Sequence, residues 1–447
     1  MSSLSNLIPF FLAAGILLAG NGIQGTLITL RASQEGFEPT MIGLIGAGYF
    51  AGFAASCLTT PRLIRKVGHI RVFAALAAVA AAGTLSLLLW IEPLVWLVVR
   101  FTTGFCFAGL FTVMESWLNA SSENADRGRV FSIYRFVDLT AVAGTQFLLP
   151  VFGAGGFELF ALTAILFSIS LVPVSLSDRS SPKLPEAFTF DLGQVWRISP
   201  LACTGCLALG LTNSAFRLIG PLYGELMGLG IAGVALFVSA SIVGGAALQL
   251  PLGYLSDRFD RRWVILATTA GAAAAGLLLS GAGRDAPWLI YTGAFLFGAF
   301  ALPLYSLSVA QANDHAEPGQ YVLLAAGLIF FYAIGASCGP LVASIVIERF
   351  GPPAFFVYTS AVHAVLIVAA LLRIVQRPAV PRPMRARFHA LMRTSPVLVR
   401  QALKSGTLAR RPASAAPEHG RQTVGDDAAQ SHDKVSRLRY TPDSCSS

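Results

Sequence analysis

Charged side chains are scarce in this sequence: Lys, Arg, Asp and Glu make up 12% of its 447 residues, whereas hydrophobic residues make up 55%. A soluble domain carries about 25% charged residues and lacks apolar stretches near 20 residues. Here such stretches recur along the chain, and about 20 apolar residues in a helix cross a bilayer core roughly 30 Å thick. They show no strict apolar/polar alternation, which argues against a β-barrel. The sequence therefore predicts an all-α integral membrane protein with many helical spans.

Cysteine and histidine are rare as well, at six residues each. Cys203 and Cys206 form a C-x-x-C pair, but a zinc site needs two further ligands nearby and none follows. Small residues packed in a helix face are the simpler interpretation. The sequence has no G-x-x-x-x-G-K-[ST] loop for ATP, and no clustered histidines or paired carboxylates within its apolar segments. We therefore expect no metal, no cofactor and no enzymatic activity.

Twelve apolar stretches are long enough to cross a membrane. The first follows MSSLSN, which has no basic residue, and its apolar run is longer than that of a typical signal peptide. We therefore expect it to be retained as a span. The predicted spans are residues 7–30, 40–60, 71–91, 93–117, 130–152, 157–176, 198–222, 231–252, 263–282, 287–309, 322–346 and 354–374.

The loops between these spans differ in their content of Lys and Arg. One set of loops holds twelve such residues and the alternate set holds three. Because short cytoplasmic loops carry the excess of Lys and Arg, we expect the first set and both termini in the cytoplasm. The twelve are Arg62, Arg65, Lys66, Arg71, Arg127, Arg129, Arg179, Lys183, Arg197, Arg258, Arg261 and Arg262, and the three are Arg31, Arg284 and Arg349.

The net charge of +9 arises in the C-terminal tail. Residues 1–372 contain 18 basic and 18 acidic residues, whereas residues 373–447 contain 14 basic and 5 acidic residues, a difference of +9. The excess thus lies in a polar, Pro- and Arg-rich segment typical of disorder, and we expect no nucleic-acid partner. Two roles stay open for the tail: contact with anionic lipid headgroups, at about 1 kcal/mol per basic residue, or a solvated tail that only fixes orientation.

A polar segment, SDRSSPKLPEAFTFDLGQ at 177–194, divides the chain into similar halves. An offset of 192 residues relates Asn21 to Asn213, and an offset of 194 relates Gly104 to Gly298. A repeat of six spans keeps its direction in the membrane, so the halves are parallel repeats, as in one large group of secondary transporters. The predicted domains are a six-helix bundle at 1–176, a cytoplasmic linker at 177–197, a second six-helix bundle at 198–375 and a tail at 376–447.

A charged turn, GYLSDRFDRR at 253–262, interrupts the apolar sequence between spans eight and nine. It resembles motif A of the major facilitator superfamily, G-x-x-x-D-R-x-G-R-R, with Asp260 in place of the second glycine. The first-half copy, PRLIRKVGHIR at 61–71, is degenerate, and Arg65 stands where the family has Asp. The matching residues are Gly253, Asp257, Arg258, Arg261 and Arg262.

Further strings support this resemblance. Glu115 and Arg127 resemble the family's E…RG signature, and Arg100 resembles its motif B arginine. The strings ESWLNA, RVFSIYRFVDL and ANDHAEPGQYV are similar to the YcaD-like bacterial branch. The resemblance implies twelve transmembrane helices in two parallel repeats, in a bacterial inner membrane, that move a small-molecule substrate by alternating access. We expect the protein to be a monomer. A receptor or sensor that keeps this fold without turnover is the alternative.

We interpret the charged turn as a latch between the halves. Charges in the hydrocarbon are costly, so these side chains belong at the membrane surface. There the aspartate can accept hydrogen bonds from helix ends, and the arginines can bridge to carboxylates of the opposite half in one of two states. The alternative is that they only satisfy the positive-inside rule. The predicted latch residues are Gly253, Asp257, Arg258, Arg261, Arg262, Glu115 and Arg127.

Polar residues inside the spans are candidates for substrate binding. In the resembling family, spans one, four, seven and ten line the central cavity. Two arginines there without evident acidic partners suit an anionic group of the substrate; alternatively, each satisfies helix-end carbonyls or snorkels outward. The predicted substrate-binding residues are Asn21, Gln24, Arg100, Asn213 and Arg217.

Asp138 is a carboxylate well inside span five, and we predict that it couples transport to protons. Arg135, three residues earlier, shares its helix face and is close enough to neutralise it. The sequence thus predicts a secondary active transporter, proton-coupled, for a small organic anion or zwitterion.

Overall fold

The computed structural model describes residues 7–120, 127–176, 191–317 and 320–376, together with Pro378 and Phe388. These residues form helices joined by short turns, and no strand occurs among them. They belong to one compact unit, Met1–Arg410. The second unit, Arg411–Ser447, and most of the predicted linker and tail lie outside the described residues.

Each predicted span is a helix or a short succession of helices. Spans one to six are Ile8–Gln34, Pro39–Val67, His69–Leu89, Pro93–Ala120, Arg127–Thr145 followed by a 3₁₀ turn (Gln146–Leu148) and Leu149–Phe152, and Glu158–Ile169 followed by Leu171–Ser175. A short helix, Leu192–Ile198, precedes span seven. Spans seven to twelve are Pro200–Leu226, Gly230–Arg258, Arg261–Ser280, Pro287–Ala301 followed by Leu304–Asp314, Tyr321–Phe350 and Ala354–Gln376.

Eleven of these spans are long and apolar enough to cross a membrane, counted over the described residues. Span five is too polar to be among them, because its first helix of 19 residues contains Arg127, Arg129, Arg135 and Asp138. Its helix also breaks into the 3₁₀ turn just before Pro150. The predicted all-α membrane architecture is confirmed, with span five as its most polar member.

Spans eight and nine extend further than the sequence suggested. Apolar sequence placed their ends at residues 252 and 263, but the helices continue to Arg258 and begin again at Arg261. Hydrogen bonds along the backbone do not end where the apolar stretch ends, so a helix can project beyond the hydrocarbon. The charged turn is therefore largely helical, and Asp260 caps span nine by accepting a hydrogen bond from the Arg262 N–H at 3.1 Å.

Glycines bring two pairs of spans into backbone contact. In the first half, a Cβ on Gly52 of span two would collide with the Phe101 carbonyl oxygen of span four, and one on Gly104 would collide with the Tyr49 carbonyl oxygen. In the second half, Gly244 of span eight meets Phe295 and Gly298 of span ten meets Ser241 in the same way. Gly52 and Gly244 are 192 residues apart, and Gly104 and Gly298 are 194 apart. The internal repeat of the sequence thus corresponds to a repeated helix contact.

The bundle has two ends, which we call the motif end, where the charged turn lies, and the far end, where spans one and seven finish. Hydrogen bonds join the two halves toward the far end. Thr29 of span one donates to the Leu218 carbonyl of span seven at 2.7 Å, and the Thr40 N–H at the start of span two donates to Glu348 near the end of span eleven at 3.0 Å. Small residues of span two, among them Gly43, pack closely on span eleven.

Candidate functional site

Four of the five predicted substrate-binding residues meet in one polar group, which we call the Arg100 cluster. Its members are Asn21 and Gln24 of span one, Tyr49 of span two, Thr84 of span three, Arg100 of span four and Arg217 of span seven. They lie 5 to 13 residues from the far ends of their helices, which corresponds to roughly 8–20 Å at 1.5 Å per residue. The backbone contact between spans two and four places Tyr49 beside Arg100.

A chain of hydrogen bonds fixes the orientation of Arg100. Its Nη1 donates to Gln24 Oε1 at 2.9 Å, and Gln24 Nε2 donates to Thr84 Oγ1 at 2.8 Å. The Thr84 hydroxyl in turn donates to the Ala80 carbonyl at 2.8 Å. Because that hydroxyl has used its hydrogen, it can only accept from Gln24, so the amide oxygen of Gln24 must face the guanidinium. Thr84 therefore determines which atom Gln24 presents to Arg100.

Tyr49 supports Arg100 from the other side. The guanidinium carbon lies 4.3 Å from the centre of the Tyr49 ring, in cation–π geometry. The Tyr49 hydroxyl donates to Asn21 Oδ1 at 3.1 Å. Arg100 is 2% exposed and Asn21 is 4% exposed. The arginine is thus held by a ring and an amide, neither of which carries a negative charge.

Arg217 reaches the same cluster from the second half. Its Nη2 donates to the Asn21 carbonyl oxygen at 3.5 Å, a long bond that crosses between spans seven and one. Arg217 is half-buried, as is Asn213, which lies one turn nearer the motif end on the same helix. Arg217 and Arg100 are close enough for their charges to repel. Within the described part of the chain, no carboxylate lies at ion-pair distance from either guanidinium.

Sequence reasoning missed Tyr49 and Thr84. Both lie in long apolar stretches, where a lone tyrosine or threonine is normally a packing residue. The available signal was the glycine spacing around Tyr49: Gly48 and Gly52 indicate a close helix neighbour, but not that the neighbour carries Arg100. Only the three-dimensional structure supplies that pairing.

The two halves contact each other on the far-end side of the cluster. A void of about 10 Å³ lies there, too small for a solute, and Arg100 lines it together with Gly25, Thr29, Gly46 and Leu218. Thr26 of span one donates to Gln146 Oε1 of span five at 2.8 Å, and Gln146 Nε2 donates to the Gly22 carbonyl at 2.9 Å.

The charged turn forms an ion network with neighbouring spans of its own half. Arg261 donates to Asp257 at 2.9 Å, and to Asp314 at the end of span ten at 2.7 Å. Arg262 pairs with Asp260 at 2.6 Å and donates to the Arg373 carbonyl of span twelve at 3.3 Å. Sequence reasoning missed Asp314, because the tenth span was expected to end at residue 309.

The other predicted latch residues are placed less directly. Arg258 donates to the Tyr254 hydroxyl at 3.1 Å in an exposed position. Glu115 is fully buried near the motif end of span four, beside Cys57 of span two and Tyr134 of span five. Arg127 begins span five, and its side chain lies outside the described residues. A bridge from the charged turn to the first half stays a prediction.

The predicted proton-coupling residue is ion-paired. Arg135 Nη1 lies 2.6 Å from Asp138 Oδ2, with 18% and 14% of the two side chains exposed. This confirms the expected neutralisation on one face of span five. Asp138 is thus held in a salt bridge by Arg135. Its coupling role stays a prediction.

Comparison with known proteins supplies the family. The sequence profile described as Major Facilitator Superfamily matches residues 10–246 and again residues 231–415. The chain belongs to the Major Facilitator Superfamily. The repeated match follows the internal repeat described above.

Relatives place the chain near the YcaD-like branch of this superfamily. It is 24% identical over 384 residues to the uncharacterized MFS-type transporter Ent638_1421 of Enterobacter sp. (strain 638), covering 85% of this chain and 98% of the relative. It is also 24% identical over 371 residues to the uncharacterized MFS-type transporter YcaD of Escherichia coli O45:K1, covering 80% and 94%. The predicted branch is thereby confirmed.

Solved structures with this fold include two transporters. The nucleoside transporter NupG matches with a TM-score of 0.67 at 12% identity, over 84% of this chain and 99% of that one. A bacterial homologue of the human lysosomal transporter Spinster, in an inward-facing and unoccupied conformation, matches with a TM-score of 0.63 at 13% identity, over 92% and 99%. The chain thus has the fold of a multi-pass membrane transporter.

Proposed function

We propose that this protein is a secondary active transporter that moves a small organic anion or zwitterion by alternating access. The observation that carries the proposal is the pair of arginines at the Arg100 cluster. Arg100 comes from the first half and Arg217 from the second, and the described residues hold no carboxylate that pairs with either. Two unneutralised guanidinium groups at this depth are costly, and a bound anion would offset that cost.

The geometry around Arg100 supports recognition of a carboxylate or phosphate. A guanidinium has five N–H donors in a planar fork, and Gln24 accepts from one of its two terminal nitrogens. Tyr49 covers a face of the plane and not its donor edge. The remaining donors can serve an anion that Arg217 contacts from the opposite half. Such an anion would link the halves, as alternating access requires.

We infer that the motif end faces the cytoplasm of a bacterial inner membrane, which places both termini there. Twelve Lys and Arg residues in the motif-end loops against three in the far-end loops support this orientation. With this orientation, the far end, where the two halves pack together, is the outer side. We further propose proton coupling through Asp138.

The test is a thermal-shift screen of the purified full-length protein against carboxylates, sugar phosphates, amino acids and nucleosides. We expect anionic or zwitterionic compounds to stabilise the wild type, and Arg217→Lys and Arg100→Lys to bind them at least roughly tenfold more weakly, since lysine loses the planar fork. Arg284→Lys is the matched control, because Arg284 is exposed at the far end. A neutral ligand, or wild-type affinity in both cluster variants, would show that these arginines are structural.

Turnover separates a transporter from a receptor of the same fold. The degenerate first-half copy of the motif, with Arg65 in place of Asp, is the feature that favours a receptor. Proteoliposomes loaded with the stabilising anion should exchange it with labelled external anion. Binding without exchange would favour the receptor.

A further inference from the structure

A residue of the C-terminal tail, Phe388, packs onto the charged turn. Its backbone N–H donates to both carboxylate oxygens of Asp257, at 2.9 Å to Oδ1 and 3.2 Å to Oδ2. Its ring lies against Gly253, and the residue is half-buried against the hydrophobic core of the motif end. A tail residue therefore contacts Gly253 and Asp257, two of the residues that are predicted to latch the halves.

Gly253 is shaped for this ring. A Cβ at Gly253 would collide with Cδ1, Cε1 and Cγ of Phe388, which are its three nearest atoms. Because Cγ, at the base of the ring, lies only 2.9 Å from that position, rotating the ring would not remove the collision. The absence of a side chain at Gly253 is thus what admits Phe388.

Asp257 connects the docked residue to a buried ion network. The oxygen that accepts from Phe388 also accepts from Arg261 Nη2 at 2.9 Å, and Arg261 Nη1 lies 2.7 Å from Asp314. The Arg261 side chain is 1% exposed and that of Asp314 is 3% exposed, whereas 38% of the Asp257 side chain is exposed. Asp257 is therefore the accessible end of a rigid network that ties spans eight, nine and ten together.

The docked residue lies on the side of span eight that faces the first half. Nearer the far end, Ser239 of span eight donates to the Ala143 carbonyl of span five at 3.3 Å. Asp257 follows Ser239 by 18 residues in a helix that continues through Pro251. This separation is five full turns at 3.6 residues per turn, which places both residues on one helix face. Gly253 lies about 40° away on the same side. If the motif end closes, the first half must approach the surface that Phe388 covers.

We propose that Gly253 and Asp257 form a binding site for an aromatic residue of the chain's own tail, and that the occupied site holds the first half away from this surface. The ligand is a backbone amide with an aromatic ring, supplied by Phe388. The tail and the first half compete for one surface, so release of the tail must precede closure. The effect of the docked tail on the first half rests on the proposed alternating access, whereas docking itself does not.

Docking is tested by hydrogen–deuterium exchange of the purified full-length protein. We expect peptides that contain Phe388 to exchange at least roughly tenfold more slowly in the wild type than in Gly253→Ala, since a packed ring and a charge-assisted hydrogen bond together exceed 1.4 kcal/mol. The double variant Gly253→Ala with Phe388→Ala should regain part of the protection, because the smaller residue leaves room for the new methyl. Gly144→Ala is the control, since nothing lies within 4 Å of a Cβ there.

Equal exchange in the wild type and Gly253→Ala would overturn the docking site. Protection that falls when the protein is diluted would show that the tail of a second copy docks, and this would overturn the intramolecular site. Neither result depends on transport, so the docking site and the proposed function can fail separately.

The hold on the motif end is tested by spin-label distances between Leu63→Cys in the first half and Phe259→Cys in the second, in a background without native cysteines. Both positions are exposed at the motif end. We expect Gly253→Ala, which displaces the tail, to move the distance distribution toward shorter values, and Gly144→Ala to leave it unchanged. Loss of Phe388 protection with an unchanged distribution would overturn the hold while leaving the docking site.

Discussion

Replacing Gln24 by glutamate would place a carboxylate where an amide oxygen now accepts a hydrogen bond from Arg100 at 2.9 Å. The substitution changes hardly any volume, and the Thr84 hydroxyl can rotate to donate to the new group. It gives Arg100 a permanent counter-ion within the first half. We expect the thermal stability of the protein to be kept or raised, because a buried arginine gains an ionised acceptor.

The same carboxylate should weaken the binding of an anionic substrate. At a separation of roughly 6 Å and an effective dielectric constant of about 20, two like charges repel by about 3 kcal/mol. This corresponds to roughly a hundredfold loss in affinity for an anion. Isothermal titration or thermal-shift titration with an anion that stabilises the wild type measures the loss.

A buried carboxylate at an unrelated position provides the control. Gln249 of span eight is buried and donates to Ser306, away from both cluster arginines. Gln249→Glu should lower the thermal stability and leave the affinity of the remaining folded protein near the wild-type value. If Gln24→Glu binds the anion as tightly as the wild type, Arg100 is not part of the substrate site and the reasoning fails.

Three further substitutions test separate parts of the structure. Thr84→Val removes the acceptor of the glutamine amide and should lower stability by about 1–3 kcal/mol, whereas Thr112→Val loses only a bond to its own helix and should cost much less in the same melting assay. Asp138→Asn should abolish proton-driven accumulation but not exchange at equal pH; unchanged accumulation would move the proton site elsewhere. Asp314→Ala should lower folded yield, because it removes one of the carboxylates that pair with the buried guanidinium of Arg261; a yield equal to wild type would contradict this.

The sequence predicted the architecture well because its signals are strong and local. Apolar length identifies a span without reference to other spans, and the offset between Gly104 and Gly298 gave the repeat before any contact was known. The pairing of Arg135 with Asp138 was also predictable, since both residues lie on one helix. Each of these inferences needs only residues that are near in sequence or related by the repeat.

The parts that could not be predicted depend on contacts between distant spans. Tyr49 and Thr84 became site residues only when spans two and three were placed against spans one and four. The polar character of span five and the reach of span ten to Asp314 were underestimated, because apolar length measures the membrane core and not the helix. Phe388 lies in a polar tail, where composition gives no indication of a docked residue.

Close helix contacts occur both within one half of the bundle and between the two halves, and we expect substitutions at the two kinds of contact to have different effects. At Gly52 and Gly104, the backbones of spans two and four touch without side chains between them. We therefore expect these two spans to move as one rigid unit. Between spans two and eleven, Gly43 packs across the interface between the halves, where the Ser344 hydroxyl and the Pro340 carbonyl oxygen are its nearest neighbours. A larger side chain at Gly52 would force spans two and four apart and hence disrupt the fold. A larger side chain at Gly43 would push spans two and eleven apart. Because these spans belong to different halves, we expect it to shift the equilibrium between two conformations of a folded protein.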